Sequence, residues 1–315
     1  MLRLVLTAIG FLTSISGVVP ADAASQIPHS RALSRGDHRL RIDDVNLGYH
    51  VRGSGPLLVV MSPDWGIGSS YLQAGLAPLE AQHTVVYVDA RGSGASGRPR
   101  DPAHMGTVVS ADDLERLRRH WQLPSLDLLG HSAGGTILLS YAKRYGVHVS
   151  KLILVDTGLP GFSVAGRRSA FKNMWRNDPS HSLAVSHLAD PDPHSDGAFS
   201  RSLRDTIGWY LYDPKKYASA FVSGIPPKLP VWTLLASSAA DRKTSAQAMT
   251  RLETIKVPTL IVVGREDAEC PVEVAEEVHR RVSNSRLLVY DRDGHFPWIE
   301  ARHQFLNDVE TFLGS

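Results

Sequence analysis

Six short apolar runs recur along the 315-residue chain, at 57–61, 84–89, 126–130, 152–156, 259–264 and 287–290. Runs of this length, rich in Val, Leu and Ile and closed by Gly, Asp or Pro-containing loops, fit strands buried on both faces. Amphipathic stretches at 111–120, 132–145 and 271–282 fit the helices that would cover them. The alternation predicts an α/β fold: a mainly parallel central sheet with helices on both faces. Upstream, 38–43 and 47–51 alternate loosely around a turn and predict a β-hairpin. The core is assigned to 36–156 and 251–315. Between them, at 157–250, the alternation gives way to Pro, Asp, His and aromatic residues, which predicts an inserted helical cap.

With 43% apolar and 21% charged residues, the chain has enough core-forming material to exclude disorder and too little for a multi-span membrane protein. Its net charge of +2 and lack of a long basic block argue against nucleic acid as a partner. Residues 1–23 have the order of a secretory signal: Arg3, an apolar run at 4–12, then Pro20 and Ala21-Asp22-Ala23. Thr7, Thr13, Ser14 and Ser16 make this segment a poor permanent span, so the expectation is cleavage after Ala23, a polar leader at 24–35 and a mature chain outside the cytoplasm. Cys270 is the only cysteine, so stability outside the cell must come from the core and not from an internal disulfide.

The run at 126–129 leads directly into Gly130-His131-Ser132-Ala133-Gly134-Gly135 and then a helical segment. Strand, tight turn and helix are the context in which G-x-S-x-G projects a serine above a sheet. A serine hydroxyl is a poor nucleophile near neutrality and needs an imidazole to take its proton, with a carboxylate to orient that imidazole. Asp267 follows the run at 259–264, and Gly294-His295 follows the run at 287–290. Ser132, Asp267 and His295 are therefore the candidate triad, with Glu266 and Asp156 as rival acids. Most of the fourteen histidines, His131, His279 and His303 among them, read as ordinary surface residues. Backbone donors for a developing oxyanion are expected at Ala133, just after the nucleophile, and in the loop after the first parallel strand. In that loop Pro63 has no N–H, leaving Trp65 or Asp64, with Trp65 favoured and the Asp64 side chain expected to turn away or bind a donor.

Gly92-Ser93-Gly94-Ala95-Ser96-Gly97 matches G-x-G-x-x-G, but Arg98-Pro99-Arg100-Asp101-Pro102 follows, so no helix can start there to hold a pyrophosphate. The segment reads as a structural turn in which Arg91 anchors a neighbouring loop. No cofactor and no metal are indicated, since HExxH, CxxC and EF-hand patterns are absent.

Taken together, 85–96, Gly130 to Gly135, Val263-Gly264-Arg265-Glu266-Asp267 and Gly294-His295-Phe296-Pro297 resemble the α/β-hydrolase fold superfamily, in its proline-iminopeptidase-like (peptidase S33-like) branch. The resemblance implies a Ser-Asp-His catalyst under a lid, without a cofactor, acting on an ester, amide or related carbonyl compound. Two departures bear on the substrate. The usual His-Gly-Gly-Pro-Gly loop is replaced by Ser62-Pro63-Asp64-Trp65-Gly66, and residues 157–250 hold no glutamate to receive a substrate ammonium group. The leading expectation is a secreted serine hydrolase for an ester, lactone or amide of a moderately apolar small molecule. The alternatives are a proline-iminopeptidase-like aminopeptidase, and a non-hydrolytic tailoring or binding protein on the same fold.

Overall fold

Strands β1 (Gly36–Ile42) and β2 (Val45–Gly53) pair antiparallel through a two-residue turn, with Asp43 at φ 52°. A positive φ at such a turn matches the right-handed twist of the two strands, and Asp tolerates it better than most residues. The computed structural model describes residues 33–187 and 190–315. The expected signal segment 1–23, and all but the last three residues of the leader, lie outside the described residues.

From the hairpin the chain continues through β3 (Leu57–Met61), α1 (Ser70–Leu76), β4 (Thr84–Val88), α2 (Thr107–His120), β5 (Leu126–His131), α3 (Ala133–Tyr145) and β6 (Val149–Val155). Five helices follow before the next strand: α4 (Arg167–Trp175), α5 (Ser182–His187), α6 (Asp196–Asp205), α7 (Pro214–Gly224) and α8 (Val231–Ala248). The chain then completes β7 (Thr259–Gly264), α9 (Val272–Arg281), β8 (Ser285–Tyr290), α10 (Pro297–Glu300) and α11 (Arg302–Gly314). The sheet order is β1-β2-β4-β3-β5-β6-β7-β8. β2 is antiparallel to β4, and every pair from β4 to β8 is parallel.

Because side chains alternate along a strand, each strand feeds two cores. Val59, Val86, Leu128, Leu154 and Val263 face the layer built by α2, α3 and α9. Val60, Val85, Leu129, Ile153 and Val262 face the layer containing α1 and α11, which also receives Phe199, Leu203 and Phe221 from the inserted helices. Full burial of a Val or Leu side chain contributes about 2 kcal/mol, so this double-sided sheet is the main source of stability.

The inserted helices have local stop and start signals. Ser195 caps α6 by accepting the Ala198 N–H at 3.2 Å. Asp213 caps α7 by accepting the Lys216 N–H at 3.1 Å, with Pro214 at the first helical position. α8 is fastened to the rest of the chain by polar contacts: Thr233 donates to the Gly92 carbonyl at 2.8 Å and Ser237 to the Asp64 carbonyl at 2.6 Å. Asp241 accepts the Thr107 N–H at 2.8 Å. The turn at 89–97 is structural as expected, held by Asp89, which accepts the amides of Ser69 and Ala95, each at 2.7 Å. Arg91 anchors a helix as well as a loop: its guanidinium meets both carboxylate oxygens of Asp113 on α2, at 2.5 and 2.8 Å, and lies 3.9 Å from the Asp43 carboxylate in the β1–β2 turn. No helix among the described residues is long and apolar enough to cross a membrane.

Candidate active site

The parallel strands end along one edge of the sheet, and β3 is flanked there by β4 and β5, which the chain reaches in opposite directions. A crevice opens at such a reversal, where ligands of open α/β sheets bind. Ser132 stands at this point, directly after β5, with φ 55° and ψ −125°. That conformation is strained for a residue with a Cβ, and strain of this kind concentrates at functional turns. Two flanking glycines make it possible. A Cβ on Gly134 would sit 2.3 Å from the Met61 carbonyl oxygen, and one on Gly130 would sit 2.7 Å from the Gly134 carbonyl oxygen. Strand β5 can therefore turn into α3 beside the end of β3 only without side chains at both positions.

His295 lies in the loop after β8, and its Nδ1 is 2.8 Å from Asp267 Oδ2 in the loop after β7. The two side chains are 3% and 0% exposed. Nδ1 donates this bond, which leaves Nε2 as the basic nitrogen of the neutral ring. The second carboxylate oxygen of Asp267 accepts the amides of Glu269 at 2.8 Å and Cys270 at 3.0 Å. The His295 N–H donates to the Tyr210 carbonyl at 2.7 Å, so the inserted segment itself helps hold the imidazole loop. Ser132 and His295 line one cavity of about 80 Å³.

Neither rival acid bonds the imidazole. Glu266 accepts the Asp293 N–H at 3.0 Å and ties the β7 and β8 loops together. Asp156 is fully buried behind the pair, with one oxygen accepting the Gly264 N–H at 2.9 Å and the other unpartnered. Burial, then repulsion from Asp267 and Asp293, pushes its carboxyl well above the usual range. Asp267, Cys270 and His295 also bring ligand atoms within 4.8 Å of one another. That proximity follows from the imidazole–carboxylate bond and the Asp267 turn, and burial keeps the Cys270 thiol protonated by pushing its pKa well up.

Ala133 is the first residue of α3, so its N–H has no preceding helical turn to bond. Trp65 lines the Ser132 cavity, and its N–H makes no hydrogen bond among the described residues. Asp64 is buried and does not line that cavity. Burial, then Asp241, raises its pKa to about 7.

The surface reading of His131 is wrong. It is 2% exposed, and its ring centroid lies 4.5 Å from that of His295. Its Nε2 donates to the His295 carbonyl at 2.8 Å and its Nδ1 accepts the Tyr71 hydroxyl at 2.8 Å. Burial, then the neighbouring imidazole, drives its pKa well down, so it is neutral. Tyr210, Phe221, Glu269 and Phe296 also line the Ser132 cavity, and sequence reasoning gives none of them a site role: Tyr210 and Phe221 are only two of ten aromatics in 157–250, some of which could line a cleft. Only Phe296 carried a local signal, its place immediately after His295. Glu269 and Tyr210 also border a second chamber of about 400 Å³, where Glu269 accepts the Trp209 indole N–H at 2.8 Å.

Comparison with known proteins agrees with this architecture. The family model described as alpha/beta hydrolase fold matches residues 66–301. The chain is 26% identical to the 2-hydroxy-6-oxo-2,4-heptadienoate hydrolase of Pseudomonas putida, over 90% of this chain and 96% of that one. It is also 26% identical to the proline iminopeptidase of Saccharolobus solfataricus, over 84% and 87%. Among solved structures, an esterase from Exiguobacterium antarcticum superposes with a TM-score of 0.66 at 22% identity, covering 90% of this chain and all of the esterase. With its sheet order, its cavity at the strand ends and these relatives, the chain belongs to the alpha/beta hydrolase fold family and is a hydrolase.

Proposed function

We propose that this hydrolase cleaves an ester, lactone or amide bond of a moderately apolar small molecule through an acyl-enzyme on Ser132. In this reading His295 Nε2 takes the Ser132 proton as Oγ attacks the substrate carbonyl, and Asp267 steadies the imidazolium that results. The N–H groups of Ala133 and Trp65 receive the developing oxyanion. His295 then returns the proton to the departing group, and a water repeats the sequence to release the acid and restore Ser132. The inserted helices, 157–250, serve as the lid over this chemistry. One observation carries the reading: the serine of a strained strand-to-helix turn shares a cavity with a histidine already bonded to a buried carboxylate.

The test is covalent labelling with a fluorophosphonate, together with hydrolysis of activated esters. Label is expected on Ser132, and Ser132→Ala is expected to lose about 10⁴-fold or more in kcat. Unchanged turnover in Ser132→Ala would refute the nucleophile.

A second reading, an aminopeptidase, is favoured by Glu269. With Oε2 engaged by Trp209, Oε1 of this carboxylate remains to receive a substrate ammonium group at the cavity border. That reading requires a preference for free over blocked amino termini that disappears in Glu269→Gln.

A further inference from the structure

The Ser132 cavity shares a border with a second, larger chamber, and this inequality decides which side of the scissile bond each can hold. The inner one has about 80 Å³ and the outer about 400 Å³, and they share Trp65, Leu203, Tyr210 and Glu269 as their border. The far side of the inner chamber is made by Ile67, Tyr71, Phe221 and Phe296, all at most 4% exposed. These rings hold one another in place. Phe221 stacks on Phe296 with centroids 4.3 Å apart, Tyr71 meets both edge-on, and its hydroxyl is committed to His131. Close-packed rings of this kind do not swing aside cheaply, since overpacking a well-filled core is itself destabilising.

An apolar cavity of about 150 Å³ is enough to hold benzene, so about 80 Å³ accommodates roughly three carbons. The order of events assigns the contents. The leaving group must depart, and water must enter, while the acyl group is still esterified to Ser132. A leaving group in the inner chamber would be trapped behind that acyl group. One in the outer chamber, the more open of the two, is not behind it and lies among the polar side chains of Arg167, Asp192 and Glu269.

We infer that the inner chamber is an acyl pocket limited to two to four carbons, so the substrates are short-acyl esters of a larger, more polar alcohol. This assignment rests on the serine-hydrolase reading above. In the first half-reaction the bond from the acyl carbon to the alcohol oxygen breaks, the bond to Ser132 Oγ forms, and the alcohol leaves with the proton carried by His295. In the second, water supplies the oxygen of a short carboxylic acid and Ser132 regains its proton.

Hydrolysis of 4-nitrophenyl acetate, butyrate, hexanoate and octanoate keeps the leaving group constant and varies only the acyl chain. kcat/KM for the octanoate is expected to fall about tenfold or more below that for the butyrate. Phe221→Val, which shortens the far wall, is expected to raise the octanoate-to-butyrate ratio about fivefold or more. Ile67→Ala, on the same wall, serves if the Phe221 variant does not fold. Equal rates across the wild-type series, or a ratio unmoved by the folded wall variant, overturns the acyl pocket. Fluorophosphonate labelling of the same preparations separates the two failures. Labelled enzyme without chain-length discrimination refutes the pocket alone, whereas absence of label on Ser132 refutes the nucleophile and the pocket with it.

Discussion

His131 is the residue through which the turn carrying Ser132 and the loop carrying His295 are joined. Its Nε2–H can only donate to the His295 carbonyl, so Nδ1 must accept from Tyr71, and the ring has one tautomer. His131→Phe keeps the ring but leaves the His295 carbonyl and the Tyr71 hydroxyl without a partner. Two buried polar groups orphaned in this way cost about 3 kcal/mol in total. The loop that carries the imidazole is then free to shift, and kcat should fall about tenfold or more with KM little changed. Urea unfolding and steady-state kinetics check the two effects separately, and unchanged kcat in the folded variant would show that the loop holds itself. The places of Ser132, Asp267 and His295 at strand ends could be read from sequence because each follows an apolar run, with glycines at 130, 134 and 294 marking two of the turns. His131 could not, because a histidine bonded on both sides in the core has the same letter as one in water. Glu269 and Tyr210 were not singled out for another reason: Tyr210 reaches the cavity by the path of the inserted segment, which leaves no periodic trace, and Glu269 by the turn after β7, where Asp267 accepts its N–H.

At the scale of elements, the strands buried on both faces were the legible ones. The bounds of β3 and β7 coincide with their apolar runs, whereas β6 begins at Val149, three residues before its run. Those first residues include Ser150 and Lys151, and Lys151 is polar for a reason in three dimensions: its ammonium group reaches the final carbonyls of α11, at 3.1 Å from Phe312 and 2.6 Å from Leu313. Glu300, the last residue of α10, makes the inserted segment and the His295 loop one unit. Its carboxylate accepts the N–H groups of Tyr212 at 3.0 Å, Asp213 at 2.9 Å and Gly294 at 2.8 Å. Glu300→Ala strands all three donors and should cost about 3 kcal/mol of stability. Because the same segment lends the Tyr210 carbonyl to the His295 N–H, activity should fall as well. Hydrogen exchange should show the amides of Tyr212, Asp213 and Gly294 losing protection together. Loss of protection at Gly294 alone would mean that the two segments are held independently.

Over the whole molecule, the buried carboxyl groups and the exposed ones pull the pH dependence of stability in opposite directions. Burial raises Asp64 to about 7 and Asp293 to about 9, and neither oxygen of Asp293 has a hydrogen-bond partner. Both groups have folded pKa values above the unfolded one, so the stability they contribute is complete below about pH 4. It is lost as the pH rises through about 7 for Asp64 and about 9 for Asp293. At the surface the sign reverses. The hydrogen bond from His50, then that from Arg52, holds Asp37 down to about 2, and Arg280 does the same for Glu277. Their contribution is present above about pH 4 and lost as the pH falls through about 2. The melting temperature should therefore be highest near about pH 5 and decline toward about pH 9. Asp293→Asn cannot ionise, so its melting temperature should decline less over that interval, by about 4 °C relative to the parent chain. Thermal unfolding followed by circular dichroism across this range is the measurement. Parallel declines in the two proteins would mean that position 293 is already charged in the folded chain, and a parent curve flat from about pH 5 to about pH 9 would remove the buried carboxyl groups from the account altogether.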